Sequence, residues 1–343
     1  MSGASSNAVE WFSLLEPPQS QAHGRRPVSV PRPDDPRLGE IIEAWHGDPA
    51  ALRRGRAVLI GFPQDEGVRR NHGRPGAAEA PDRIRHWLFR LTPTDASRGT
   101  DLRANPPLDA GNVRTAGGLE ESQESLGTVV AGFLQAGAVP VVLGGGHETA
   151  YGHFLGYANA GRPVGIINLD AHLDVRPCVD GKGHSGSPFR QALEHPTDPL
   201  AGEHYVCLGA QPASVSRRHW QYVQSRGGVV HWADDVRDNL PDLFLAEVGR
   251  LASAGCRVYV TIDADVVRAA DVPGVSAPNP LGLSAAAVAA CARLAGHSLA
   301  VASLDLVEIN PAFDHDDHSC RWAALAVWHF VIGLGGRGHE VSG

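Results

Sequence analysis

From residue 57 onward the chain repeats one pattern. A short apolar run rich in β-branched residues is followed by a loop carrying glycine, aspartate or histidine, then by a longer amphipathic or alanine-rich stretch. Continuous apolar runs predict strands buried on both faces, and their alternation with helical stretches predicts βαβ units around a parallel sheet. The strand candidates are residues 57–61, 139–143, 164–169, 205–208, 229–231, 258–262 and 299–304, which sets a minimum count. Between them the spacing predicts helices over 121–137, 217–226, 242–254 and 285–295, with 321–334 as the last. The Gly-rich run 333–338 reads as a frayed tail, and the acidic and histidine-bearing run 314–318 as a polar loop. No Gly/Ser- or Pro-rich linker interrupts residues 57–334, so residues 38–343 read as a single α/β domain. Residues 1–37, rich in Ser, Pro and Gly and without a sustained period, read as an N-terminal arm.

Composition narrows the function classes. The 343 residues are 43% hydrophobic and 20% charged, which excludes disordered and collagen-like chains. Thirty basic against 38 acidic residues leave −8, so no global field draws in nucleic acid or an anionic membrane. Five cysteines, none in a CxxC pair, argue against a disulfide framework or a thiolate zinc site and favour a reduced, cytoplasmic protein. Residues 1–21 lack a basic stretch followed by an apolar core, and no window reaches about 18 uninterrupted apolar residues. The unusual feature is 17 histidines, several with acids beside them.

In parallel sheets ligands collect outside the carboxyl ends of the strands. After the run 139–143 come three glycines and then His147-Glu148. An isolated histidine at a strand end is more commonly a hydrogen-bonded structural residue than a ligand. After the run 164–169 come Asp170, His172 and Asp174, alternating with Ala171, Leu173 and Val175. Alternation along an extended segment puts the three polar side chains on one side, where they repel one another or need a cation. A solvated loop has no reason to carry the apolar half of that pattern. After the run 258–262 come Asp263 and Asp265, two carboxylates that are costly to bury without a partner.

Pooled, these strand ends offer His147, Asp170, His172, Asp174, Asp263 and Asp265. Carboxylates and imidazoles without a thiolate suit a cation such as manganese, with other divalent metals possible by ligand type. Four carboxylates exceed the charge of one divalent ion. Two ions take all six donors and share a water, which is the two-metal hydrolase arrangement.

With these segments in view, the chain resembles the ureohydrolase (arginase) family, whose signatures are GG(D/G)H, DAHxD and a strand ending in DxD. All three occur in that order, and the resemblance spans roughly residues 58–334. Four features are most similar to its formimidoylglutamase branch: Gly146-His147-Glu148, Arg176 after the second motif, Ser185 to Arg190, and the segment from Asp65-Glu66-Gly67 through Asn71 to Ala77. The resemblance implies a three-layer α/β/α sandwich around a mostly parallel, about eight-stranded sheet, two Mn2+ per chain and a homo-oligomer, trimer or hexamer. It implies that Asp170 and Asp263 bridge the ions, that His147 and Asp174 complete one, and that His172 and Asp265 complete the other. The activity implied is metal-dependent hydrolysis of N-formimidoyl-L-glutamate to L-glutamate and formamide, by attack of a bridging hydroxide that Asp174 orients.

The small-molecule substrate then makes its own demands. A cationic amidine calls for a carboxylate, and Glu308 stands behind the last strand candidate, where the family keeps its substrate-facing glutamate. Two substrate carboxylates call for arginine forks, for which Arg176 and Arg190 are the first candidates. Arg69, Asn71 and Ser185 lie on the neighbouring loops. The guanidine hydrolases of the family carry a histidine, the proton donor to the leaving nitrogen, at the position of Ser185. His184, one residue earlier, is the substitute candidate or simply an exposed residue. Two other readings stay open: a guanidino-compound hydrolase releasing urea, which Arg176 disfavours because it would repel a cationic chain, and a non-catalytic relative, which the complete donor set disfavours.

Overall fold

Seven parallel strands arise where the chain places apolar runs, and the computed structural model describes residues 9–18 and 34–337. The strands are β1 (Leu15–Glu16), β2 (Glu43–Ala44), β3 (Ala57–Phe62), β4 (Thr94–Asp95), β5 (Thr100–Asp101), β6 (Leu108–Val113), β7 (Val139–Gly144), β8 (Val164–Leu169), β9 (Tyr205–Ala210), β10 (Val229–Trp232), β11 (Arg257–Asp263) and β12 (Val301–Val307). The helices are α1 (Leu38–Ile41), α2 (Glu66–Arg70), α3 (Ala80–Leu88), α4 (Leu119–Gln135), α5 (Thr149–Asn159), α6 (Pro188–Leu193), α7 (Arg217–Ser225), α8 (Ala233–Val236), α9 (Leu240–Ser253), α10 (Ala285–His297) and α11 (His318–Gly336). The main sheet runs β1-β6-β3-β7-β12-β11-β8-β9-β10, with β2 also on β6 and only β1 antiparallel. The strands β4 and β5 form a separate hairpin.

Alternate residues of each strand feed two cores. Val141 and Leu143 of β7, Ile167 and Leu169 of β8, and Val258, Val260 and Ile262 of β11 pack under α3, α9, α10 and α11. Val142, Ile166 and Tyr259 face α4, α5 and α6. The three-layer α/β/α sandwich expected from the resemblance is therefore the observed fold.

Three departures have physical causes. The strand β6 escaped the apolar-run criterion because it carries Asp109 and Asn112, and buried Arg85 satisfies both, at 3.2 and 2.6 Å. Gly333 to Gly336 are helical rather than frayed, because Gly333 lets α11 close on α10: a Cβ there would lie 2.4 Å from the Arg293 carbonyl. Asp314, in the run 314–318, caps α11 by accepting the backbone N–H groups of Ser319 and Cys320 at 2.9 and 3.0 Å. Of the segment 1–37, β1 joins the sheet edge and Trp11 stacks on Trp45 at 5.1 Å, while residues 1–8 and 19–33, including the Pro31-Arg32-Pro33 run, lie outside the described residues.

The strand order carries the main functional consequence. The chain passes from β7 to β8 over the places later filled by β12 and β11, so four neighbouring strands end side by side. Each end delivers one of the singled-out segments to the same edge.

Candidate dinuclear metal site

The loop after β7 reaches the site because its glycines permit contact no other residue allows: a Cβ on Gly145 would lie 1.9 Å from the Gln64 carbonyl oxygen. It ends in His147, fully buried, whose ring meets Phe189 edge-on at 5.2 Å. After β8 the backbone does not stay extended as alternation predicted. Asp170 Oδ1 accepts the His172 N–H at 2.7 Å, and Asp174 adopts a left-handed backbone with φ 44°. The three side chains converge by a turn and one strained residue. After β11, Asp263 Oδ1 accepts the Asp265 N–H at 2.9 Å and starts a single helical turn, which brings both carboxylates round together.

All six predicted donors meet. Nδ1 of His147 lies 3.0 Å from Asp174 Oδ2, 3.0 Å from Asp263 Oδ2 and 3.3 Å from Asp170 Oδ2. Nδ1 of His172 lies 3.3 Å from Asp265 Oδ2 and 3.4 Å from Asp170 Oδ1. Two groups that could hold a metal ion result, one of His147, Asp170, Asp174 and Asp263 and one of Asp170, His172 and Asp265, sharing Asp170. Asp263, expected as the second bridge, enters the first group through Oδ2.

The donor set fits a pair of divalent cations on two observations. His147 Nδ1 forms no aligned hydrogen bond despite three carboxylate oxygens within 3.3 Å, and Asp265 Oδ1 is buried without a partner. Electrostatics agree. Burial, then repulsion from Asp265 and Asp170, raises Asp263 well above the carboxylate range, and burial pushes Asp265 up to about 6. Burial works against charge on His147, yet the facing carboxylates hold it well above its ordinary value, and Asp265 does the same to His172. The cluster therefore attracts positive charge strongly.

A cleft of about 290 Å³ opens onto the cluster, lined by His172, Asp174, Asp263, Asp265 and Glu308 below and by Asn71, Arg74, Arg176 and Ser185 above. Glu308, at φ 64°, gives Oε1 to the His147 N–H at 2.8 Å, and burial followed by the charges of Asp263 and Glu148 raises its pKa well above the usual value. Asn71 ties the rim together, donating to Ser185 Oγ at 3.0 Å and accepting from Arg176 at 2.9 Å.

Three residues expected to meet the substrate or its leaving nitrogen do not line this cleft. Arg190 stacks on Tyr222 at 4.1 Å and pairs with Glu194 at 3.1 Å. Arg69 pairs with Asp65 at 2.9 Å. His184 accepts the Gly186 N–H on Nδ1 and sets Nε2 3.2 Å from the Pro177 carbonyl, so both nitrogens are occupied by its own loop. Sequence reasoning also missed residues. Arg74 and His72 line the cleft, and both fall inside the 65–77 segment already singled out. Buried Glu148 accepts the Gly67 N–H at 2.7 Å, bracing α2 beneath that rim.

Comparison with known proteins shows the family and the fold. The arginase family model matches residues 55–333. The formimidoylglutamase of Nocardia farcinica is 40% identical over 303 residues, covering 84% of this chain and 91% of that one. That of Geobacillus thermodenitrificans is 38% identical over 327 residues, covering 92% and 98%. The crystal structure of Trypanosoma cruzi formiminoglutamase with Mn2+ superposes with a TM-score of 0.80 at 35% identity, covering 89% of this chain and 100% of that one.

Proposed function

The chain belongs to the arginase family, and on that premise we propose that it hydrolyses N-formimidoyl-L-glutamate, with water, to L-glutamate and formamide. The observation that carries the substrate assignment is Arg176. It stands in the cleft over the cluster with a hydrogen bond to neutral Asn71 and no carboxylate partner among the described residues. A guanidinium fork kept free of protein anions suits a substrate carboxylate and repels the cationic chain of agmatine. The curated relatives of the same name support the reading.

His147, Asp170, Asp174 and Asp263 would hold one manganese ion, and Asp170, His172 and Asp265 the other. When bound, the ions supply Lewis acidity that acidifies a water toward neutral pH. Asp174, reaching into the cleft from its strained backbone, accepts the proton of the attacking water and aims it at the formimidoyl carbon. Glu308 has Oε1 committed to the loop, which leaves Oε2 for the amidine nitrogens. A cationic formimidoyl group beside it favours the ionised carboxylate. The bond from that carbon to the glutamate nitrogen then breaks, and the nitrogen takes the proton that Asp174 carries, since His184 has no free ring nitrogen.

The same reading takes the enzyme as a cytoplasmic homo-oligomer, a trimer or hexamer, on the family resemblance. The cysteines, all free thiols, are consistent with a reducing compartment. No helix among the described residues is long and apolar enough to cross a membrane. The deciding assay offers the manganese-loaded protein formimidoylglutamate, agmatine and arginine in parallel. Formamide from the first alone is expected, and urea from either of the others would overturn the assignment.

A further inference from the structure

The loop that carries Asp170, His172 and Asp174 rests on two fully buried polar side chains that belong to neither candidate metal group, Asn168 of β8 and Tyr205 of β9. The period of two along β8 sets Asn168 directly behind Asp170. Asn168 pairs in register with Cys207, so Tyr205 starts two residues back on β9 and its long phenol reaches forward to the same place. Asn168 Nδ2 donates to Asp170 Oδ2 at 3.0 Å and to the Tyr205 hydroxyl oxygen at 3.4 Å. The Tyr205 hydroxyl donates to the Leu173 carbonyl at 2.7 Å. Backbone bonds stitch the rest of the loop to β9: the Asp170 N–H donates to the Leu208 carbonyl at 3.1 Å and the Gln211 N–H to the Ala171 carbonyl at 2.9 Å.

Donor and acceptor chemistry gives each of these bonds one direction. A carbonyl only accepts, so Tyr205 uses its one hydrogen on Leu173 and accepts from Asn168. An ionised carboxylate only accepts, so the amide turns its NH2 toward Asp170, and the reverse orientation would set Oδ1 against an anionic oxygen. Asn168 Oδ1 has no donor among the described residues, so the amide is held by its NH2 side alone. Both ends of the arrangement lead to the His147 group. Asp170 Oδ2 is the oxygen that lies 3.3 Å from His147 Nδ1, whereas Oδ1 is held by the His172 N–H. The Leu173 carbonyl belongs to the peptide that enters Asp174, whose left-handed backbone at φ 44° sets Oδ2 3.0 Å from His147 Nδ1. A residue other than glycine keeps that conformation only where its surroundings hold it.

We propose that Tyr205 is a positioning residue for the His147 group, its hydroxyl joining Asn168, which holds Asp170 Oδ2, to the Leu173 peptide, which aims Asp174. The inference rests on the metal-centre reading above. Outer partners that orient ligating carboxylates typically set about 10- to 100-fold in metal affinity. Asp170 apart, neither side chain bonds to a donor of the His172 group among the described residues, so the effect falls on one ion.

The test uses the full-length protein, stripped of metal and titrated with Mn2+ while free Mn2+ is read by electron paramagnetic resonance, with thermal unfolding alongside. The unmodified protein should bind two ions, and His147→Ala identifies which affinity belongs to its group. Tyr205→Phe removes one hydroxyl and keeps the ring beside Phe189, 4.9 Å away. It should weaken that one affinity about 10- to 100-fold and leave the other unchanged. Asn168→Leu, similar in shape and without the donor, should weaken the same affinity, and it decides the matter should Tyr205→Phe fail to fold. Tyr157→Phe is the control, because it removes an equally buried hydroxyl, 2.7 Å from Ser303 Oγ, that has no bond to the cluster. It should lower the melting temperature with both affinities intact. Intact affinities in Tyr205→Phe or Asn168→Leu, equal weakening of both ions by Tyr205→Phe, or the same selective loss in Tyr157→Phe would each overturn the inference. Fewer than two ions in the unmodified protein would overturn the metal-centre reading and the inference with it, before any variant is made.

Discussion

Glu308 Oε1 accepts the backbone N–H of His147 at 2.8 Å, so the carboxylate proposed to meet the substrate is fastened to the loop that presents the first candidate metal ligand. The Glu308 N–H returns the contact by donating to the Gly145 carbonyl at 2.7 Å. The proposed substrate contact and the candidate metal site thus share one brace, across the β7 and β12 ends.

Glu308→Gln keeps an acceptor for the His147 N–H and removes the charge that meets the amidine. Its kcat/KM should fall roughly ten- to a hundred-fold, the scale of one charge-assisted hydrogen bond of about 1.5–3 kcal/mol. Metal content should stay unchanged. Glu308→Ala should in addition lower the melting temperature, because a buried N–H is left unpaired. Steady-state kinetics, elemental analysis and melting curves separate the two effects.

Asp170 divides its two oxygens between the groups of His147 and His172. Asp170→Asn should therefore cost affinity for both ions, whereas Asp265→Asn should weaken one, since Asp265 contacts only the His172 group. Manganese titration of the two variants side by side is decisive, and equal behaviour would refute the shared position of Asp170.

Arg176→Lys keeps the charge and loses the fork. The Michaelis constant for formimidoylglutamate should rise about ten- to a hundred-fold with both metals retained, because a bidentate carboxylate pair is worth roughly 1.5–3 kcal/mol. An unchanged Michaelis constant with lowered stability would mean that Arg176 only ties the rim to Asn71.

Burial pushes Glu148 up to about 7, above the unfolded carboxylate value of 4.5. A raised carboxyl pKa stabilises the fold below the unfolded value, and that contribution is lost as pH climbs through the folded one. The metal-stripped protein should therefore lose stability between pH 4.5 and about 7. Glu148→Gln keeps an acceptor for Gly67 and should flatten that part of the curve, leaving the variant the more stable protein above the window. Melting temperatures at stepped pH, in the presence of a chelator, check both statements.

The sequence by itself determined the apolar strands, the helices α4, α7, α9, α10 and α11, and the six candidate donors. Each of these is a local signal: strands β7, β8 and β11 are largely apolar runs, and the loops after them carry histidines and aspartates with no apolar role. Tertiary structure alone decided their grouping. Nothing local says that β12 and β11 insert between β7 and β8, and that insertion is what brings Asp170 and Asp263 within 3.3 Å of His147. Polar partners far apart in the chain were equally illegible. Arg176 meets an asparagine 105 residues away and stays available, while Arg190 is consumed by Glu194 and Tyr222 on its own side of α6. Buried Asp109 and Asn112 broke the apolar pattern of β6 and were paid for by Arg85, more than twenty residues earlier in the chain. Backbone periodicity is written into neighbouring residues, whereas the partner that satisfies a buried charge is chosen by the folded chain.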